Sequence, residues 1–388
     1  MKEHAPGTAA PAVWRWAPGR NLLLLLFLVP AIPGKLSGQS WVTDFMITAG
    51  LAAEAWRGDF SAITVPQFDS TESATAAVGE WGARGVFNLL NGSGRRLDAS
   101  LNGAFRQSAT TGFQLRNYAP REQSGRLDLV YRETLAGGQL TADATARTRR
   151  VFDRPPMPMF KAPGYDIYRV QTGYLKSVRG VNLDVKVAGE RADYKPPALL
   201  RHLDFLDRNS VIVEAGGSRI YYLDPQSRED RWALRLSGAY GYHSYPRQGG
   251  EVQRVDNAMR LGASFDMRTD RFELTVTMDG TRNRSTSPRV EYNHGRLNVQ
   301  GVWYWEKTDL SVEGTLARKR YIEPGQDALV PGEEADNASI LQAELARTLG
   351  SRIYGVFRLG WRKVETNFSG AFYTRFGGGF SLRVRPWG

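Results

Sequence analysis

The sequence contains no cysteine, which removes thiolate metal sites, thiol nucleophiles and disulfide staples together. Histidine is nearly absent as well. His4, His202, His243 and His294 are the full set, and none stands from another at the spacing a zinc site needs. Long apolar runs are also missing. A membrane-spanning helix needs ~20 consecutive apolar residues, and the longest run, Leu22 to Val29 with a short tail to Ile32, falls well short. With a mean hydropathy of −0.41, a polytopic helical membrane protein is excluded. No glycine-rich phosphate loop sits between a strand and a helix: Gly377-Gly378-Gly379 lies inside a strand-like segment, where glycine marks a bend or a close approach.

What is present begins with an address. Lys2, Arg15 and Arg20 precede the apolar stretch Leu22 to Val29, and Leu36-Ser37-Gly38-Gln39-Ser40 follows it. A basic segment, a short apolar segment and a small-residue zone describe a secretory signal peptide, expected over residues 1–39. The alternative, an N-terminal membrane anchor, is opposed by the length of the run and by Pro30 and Pro33 at its end. Cleavage removes four basic residues and one acidic residue, and lowers the net charge from +11 to +8. The mature chain is expected to be exported.

The remainder repeats one pattern. In Val181 to Glu190, the residues Val181, Leu183, Val185 and Val187 alternate with Asn182, Asp184, Lys186 and Ala188. Phe272, Leu274, Val276 and Met278 alternate in the same way with Glu273, Thr275, Thr277 and Asp279. Leu97, Leu101 and Phe105 alternate with Asp98, Asn102 and Arg106. Strand side chains point alternately to opposite faces, so each stretch is a two-faced strand. Strands in soluble sheets are usually ~5–6 residues long, and these runs continue for a dozen or more. Only a closed sheet satisfies every backbone group inside lipid. The pattern predicts an all-β chain: a single transmembrane antiparallel up-and-down β-barrel of about 16 strands, with a range of roughly 14–18.

Turn chemistry supplies the count. Connections are expected near Gly92 (NGSG), Ala109, Glu122, Gly137, Pro155–Gly164, Arg179-Gly180 and at nine later positions ending with Asn367–Gly370. Short turns and longer loops alternate along this series, with both barrel ends on the short-turn side. The barrel is expected over residues 75–388. Residues 40–74 form an N-terminal extension that reads as a periplasmic or lumen segment, as a short helix around Leu51-Ala52-Ala53-Glu54-Ala55, or as an extra strand.

Aromatic residues such as Trp81, Tyr131, Trp232, Tyr240, Tyr242, Trp303, Trp305 and Trp361 share the apolar parity of their segments, as interfacial girdles would. The chain ends in Phe372 to Gly388, with Phe380, Leu382 and Val384 in alternation and Trp387 close to the terminus. Here the sequence resembles bacterial outer-membrane β-barrel proteins, porin-like in type, which end in an amphipathic strand closing on an aromatic residue. One departure stands out: Trp387 is out of phase with Phe380, Leu382 and Val384, and Pro386 and Gly388 interrupt the end.

The polar parity assigns the interior. Expected pore-lining residues are Arg84, Arg106, Arg132, Arg147, Lys186, Arg235, Arg260, Arg358, Arg375 and Arg383, with Asp143, Asp184, Glu273 and Asp279. Charges of both signs on one wall are what a wet channel uses to set selectivity, and the basic excess is slight. No catalytic centre, metal site or cofactor is expected; His243-Ser244 and Asn293-His294 are the fragments that most resemble part of one. The reading is therefore a channel for passive passage of small hydrophilic solutes with weak anion preference, not an enzyme. Two alternatives are the barrel component of a secretion or polysaccharide-export system and an outer-membrane rim hydrolase. The expected location is the outer membrane of a Gram-negative-type bacterium. Outer-membrane lipids, lipopolysaccharide and the barrel assembly machinery are the expected partners, a homo-oligomer is allowed, and nucleic acid has no role. The loop Pro324–Asn337 offers Asp327, Glu333, Glu334 and Asp336 to solvent or to cations, and the loop Pro196–Asn209 carries Leu199, Leu200, Leu203, Phe205 and Leu206.

Overall fold

The structure, a computed structural model, describes residues 42–59, 71–110, 121–152, 164–195, 206–223, 230–248, 253–323, 337–365 and 372–387. The expected signal peptide, residues 1–39, lies outside the described residues, as do 196–205 and 324–336, the greater part of the two loops noted above.

Among the described residues sixteen strands follow one another: β1 (Val42–Asp59), β2 (Thr71–Gly92), β3 (Arg95–Thr110), β4 (Arg121–Leu135), β5 (Gly138–Phe152), β6 (Gly164–Val178), β7 (Val181–Lys195), β8 (Arg208–Tyr222), β9 (Arg231–Ser244), β10 (Val255–Arg268), β11 (Phe272–Ser285), β12 (Tyr292–Trp305), β13 (Thr308–Tyr321), β14 (Ala338–Gly350), β15 (Ile353–Glu365) and β16 (Phe372–Trp387). Each pairs antiparallel with its sequence neighbours, and β16 pairs with β1, so the sheet closes into an up-and-down barrel.

The strand number equals the expected one, but the N-terminal strands differ from the expectation. The first strand is Val42–Asp59, so the barrel begins before residue 75 and the extra-strand reading of the extension is the one that forms. The helical tendency of Leu51 to Ala55 yields because the same residues also sort with period two. The turns expected near Ala109 and Glu122 do not exist: Ala109 lies in β3 and Glu122 in β4. Strand ends that project past an apolar belt carry polar residues on both faces, and that composition imitates a turn. The NGSG segment is consequently a tight turn between β2 and β3, on the short-turn end.

Two of the short turns show why they are short. Ala136-Gly137 and Arg179-Gly180 have φ values of 51°, 72°, 50° and 80°, the paired positive values of a type I′ hairpin, whose twist matches that of the strands. The start of β1 and the end of β16 lie at this same end. At the opposite, long-loop end a 3-10 turn, Pro288–Val290, joins β11 to β12.

The outer face is apolar along most of its height. Leu51 (75% exposed), Leu261 (74%) and Leu236 (70%) lead a set that includes Val170, Val185, Val211, Met278 and Leu316. A continuous belt of this kind exceeds what soluble monomers leave in water. Near the short-turn end the belt is edged by aromatic rings: Tyr221 stacks on Trp232 at 4.1 Å, and Phe272 lies 5.0 Å from Trp303. The phase problem at the terminus is solved in the backbone. Ile47 pairs with Val384 while Phe45 pairs with Trp387, so β16 inserts one extra residue opposite β1. A bulge of this kind absorbs the half-period.

Candidate functional site: the inner wall

Side chains on the concave face of a closed sheet converge, and this identifies the inner wall. Arg358 on β15 reaches Glu80 on β2 at 3.7 Å, with β16 and β1 between them, a spread of about 14 Å at ~4.8 Å per strand step. Only inward-pointing side chains close that gap. Seam glycines keep the path low: a Cβ on Gly379 would stand 2.7 Å from the Ala52 Cβ and 2.8 Å from the Leu51 carbonyl oxygen. At that position β16 and β1 approach too closely for a larger residue.

All fourteen expected pore-lining residues have the inner parity. Four belong to a network at the closure seam. Glu54 accepts from Arg106 and Arg375. Arg106 Nε also donates to Glu80 at 2.9 Å, and Arg358 donates to Glu344 at 3.3 Å. Arg383 completes the chain at 2.7 Å from Glu344. A recess of about 260 Å³ lies beside this network, lined by Gly360, Gly377, Gly379, Gln342 and Ser381. The expected basic residues of the last strand, Arg375 and Arg383, are thus largely neutralised by carboxylates. Arg84 stands apart from them, because β1 lies between β16 and β2: Arg84 pairs with Met46 of β1.

A second network joins β7 to β10. Arg235 donates to Asp184 at 2.9 Å and to Glu214 at 3.2 Å, Arg260 donates to Glu214 at 3.1 Å, and Lys186 lies 3.6 Å from Asp184. Elsewhere Arg132 meets Asp98 at 3.0 Å, Asp279 meets Arg296 at 3.0 Å, and Glu273 meets Arg268 at 3.2 Å. Asp143 accepts from Gln171 at 3.3 Å. Asp143 thus has no cation beside it among the described residues, and Arg84 and Arg147 stand without an acid. Both are exposed, and among the described residues neither has an ion-pair partner.

Glu54, Glu214, Arg268 and Arg296 escape sequence reading. Glu54 falls in the segment whose strand character was one of several options, while Glu214 and Arg296 sit on the polar parity of β8 and β12, which signals them once the register is known. The two histidine fragments dissolve in the strand geometry. In His243-Ser244 and in Asn293-His294 the neighbours point to opposite faces, so neither pair can act together. His243 instead meets Ser210 of β8, Nδ1 to Oγ 2.8 Å, and Asn293 accepts from Arg282 on the outer face at 2.9 Å. Within the described residues no group of three or more histidine, aspartate or glutamate side chains is placed to hold a metal ion.

At the long-loop end, inner-wall residues pack against the connections. Asn283 donates to the carbonyl of the buried Val290 at 3.3 Å. Asp256 accepts from Ser285 at 2.6 Å and from Arg254 at 2.8 Å, and the Arg254 guanidinium lies 4.0 Å from the Tyr245 ring centre. Leu206, from the loop expected to carry apolar residues, is buried here as well.

Neither a family model nor a curated protein matches the chain. Solved structures similar to it are outer-membrane barrels. A loop-deletion mutant of OmpT, an outer membrane protein of Vibrio cholerae, has 9% identity and a TM-score of 0.37, and the match covers 88% of this chain and 100% of that one. A triple mutant of the Rhodopseudomonas blastica porin has 11% identity and a TM-score of 0.28, over 87% of this chain and 99% of that one. A bacterial polysaccharide outer membrane secretin has 10% identity and a TM-score of 0.35, over 87% and 98%. The strand order and register, not these distant likenesses, define the architecture.

Proposed function

We propose that the barrel spans the outer membrane of a Gram-negative-type bacterium and passes small hydrophilic solutes passively, with a weak preference for anions. The observation that carries this reading is the opposition of the two faces: an apolar belt outside, and inside a wall of arginine, lysine, aspartate and glutamate held in register. Hydrocarbon suits the first, water the second, and a closed sheet leaves no unpaired backbone edge between them. Most inner charges are neutralised pairwise and contribute little net field. Among the described residues of the expected pore lining, the unpaired cations Arg84 and Arg147 stand against one acid without a cation, Asp143, and the field of such charges acts over ~8 Å at physiological salt.

Planar bilayers test this. The purified protein is expected to give discrete ohmic steps and a reversal potential in a salt gradient showing mild anion preference. Replacing both cations, R84S with R147S, is expected to abolish the preference while leaving step size nearly unchanged. A silent bilayer, or a clear cation preference in the unaltered protein, refutes the reading.

A further inference from the structure

Among the described residues the outer wall carries a cluster of arginines without acidic partners in one sector at the long-loop end. Arg282 and Arg284 on β11 and Arg318 and Arg320 on β13 are all exposed, on the same parity as the lipid-belt residues Met278 (61% exposed) and Leu316 (64%). Register sets them side by side: Arg282 pairs with Asn293, and Asn293 with Arg320. The patch is therefore about 10 Å wide across two strand steps and roughly 7 Å tall along each strand. Arg282 donates to Asn293 at 2.9 Å, and among the described residues none of the four has a carboxylate partner. Beside Arg318, and one row below Arg282 and Arg320, is a notch, for Gly295 pairs with Arg318. Gly280 and Gly295 are cross-strand partners on this face, and a Cβ on either would meet no atom within 4 Å. Met278, Leu297 and Leu316 form the next row down.

We infer that this sector is a docking site for a phosphorylated glycolipid of the surrounding leaflet, with its phosphates on the four guanidiniums and an acyl chain across the Gly280–Gly295 notch. The inference rests on the membrane-spanning reading proposed above. An unpaired guanidinium directly above an apolar belt stands at the level of lipid headgroups, where the anions available to it are phosphates. Arginine presents a planar fork that binds phosphate oxygens in pairs. Two columns of such forks match a headgroup with more than one phosphate, and the apolar row beneath fits its chains. The outer rim of β5–β7 provides an internal contrast at similar height. There Arg150 is bound to Asp166 at 2.9 Å and Arg191 to Asp193 at 3.1 Å, so the cations are already neutralised.

The test is equilibrium binding of labelled diphosphoryl lipid A to the whole detergent-solubilised barrel. The variant R282Q/R284Q/R318Q/R320Q is expected to lose at least roughly ten-fold in affinity, about 1.4 kcal/mol or more. R318K/R320K is expected to lose less, since lysine keeps charge without the fork. R150Q/R191Q is expected to bind as the unaltered protein does, and millimolar inorganic phosphate is expected not to displace the lipid. Equal binding by the quadruple variant overturns the proposal, as does equal binding of phosphate-free lipid or displacement by inorganic phosphate. Insertion into vesicles and a heat-dependent shift on gels are scored for every protein. If both proteins insert and bind lipid equally, the patch is refuted and the barrel reading stands; if the unaltered protein does not insert, both are refuted.

Discussion

Arg296 and Arg318 stand one register position apart on adjacent strands, for Arg296 pairs with Ala317, yet they live in different surroundings. Arg296 points inward and lies 3.0 Å from Asp279, whose side chain is 9% exposed. Arg318 points outward and has no acidic partner among the described residues. Converging walls crowd the interior, so a half-buried cation such as Arg296 carries its carboxylate with it, while the exposed Arg84 and Arg147 go without one among the described residues; a half-buried charge without a partner is costly. Diverging walls on the outside impose no such pairing, and the neutralising group has to come from the medium. The same residue type thus meets two media: parity decides which one, and register decides whether a carboxylate is within reach, as the unpaired inward Arg84 and the paired outward Arg150 show.

The inner half of that comparison breaks most sharply at Glu54. Its side chain is 9% exposed and accepts from both Arg106 and Arg375, so Glu54→Gln leaves Arg375 without its counterion, while Arg106 keeps Glu80. Breaking one partner out of a buried pair costs about 3–5 kcal/mol, and urea unfolding of the refolded barrel measures it. A loss under roughly 1 kcal/mol, the range of an exposed pair, shows that the inner wall is wet enough to screen the two arginines.

The outer half breaks at the belt. Leu261 and Ser264 lie on the same strand with opposite parity. Arginine on the lipid face near the midplane destabilises a barrel by about 2–4 kcal/mol, whereas lumen substitutions mainly tune selectivity. L261R is therefore expected to lower stability in vesicles by that amount and S264R by far less. Equal losses contradict the assignment of the two faces.

The parity that carries both predictions was open to reading in the sequence, because alternation needs no knowledge of neighbours. Arg358, Arg375 and Arg383 could be placed on the inner face from their own strands. Their neutralisation could not. Glu344 and Glu54 reach them across strand boundaries, and cross-strand partners depend on register, which depends in turn on where each strand begins. The misplaced turns at Ala109 and Glu122 and the open alternatives for residues 40–74 left that starting point loose at the N-terminal end, where β16 closes on β1. The outer patch was hidden for a related reason: Arg282 and Arg320 are thirty-eight residues apart, and only the β11–β12–β13 register makes them neighbours.

The comparison is sharpened by the smallest change, which would turn the neutral sector of the outer rim into a second docking surface. Arg191 and Asp193 form an exposed pair, with side-chain exposures of 64% and 25%, and a pair of that kind contributes about 0–1 kcal/mol to stability. Asp193→Asn therefore leaves the fold nearly untouched and frees one guanidinium above the exposed Val187 and Val185. One unpaired arginine lacks the second column of forks, and the open glycine below it, Gly189, pairs with valines and not with a second glycine. A gain of about 0.5 kcal/mol, or roughly two-fold in affinity for diphosphoryl lipid A, is the expected size. The increase is expected as additional binding, on top of the stronger site at β11–β13, and it is expected to persist in the quadruple variant that lacks that site. Loss of the increment in the quadruple variant shows that Arg191 acts on the existing site and not as a surface of its own; no increment in either protein shows that an outward arginine needs the notch as well as its freedom from an acid.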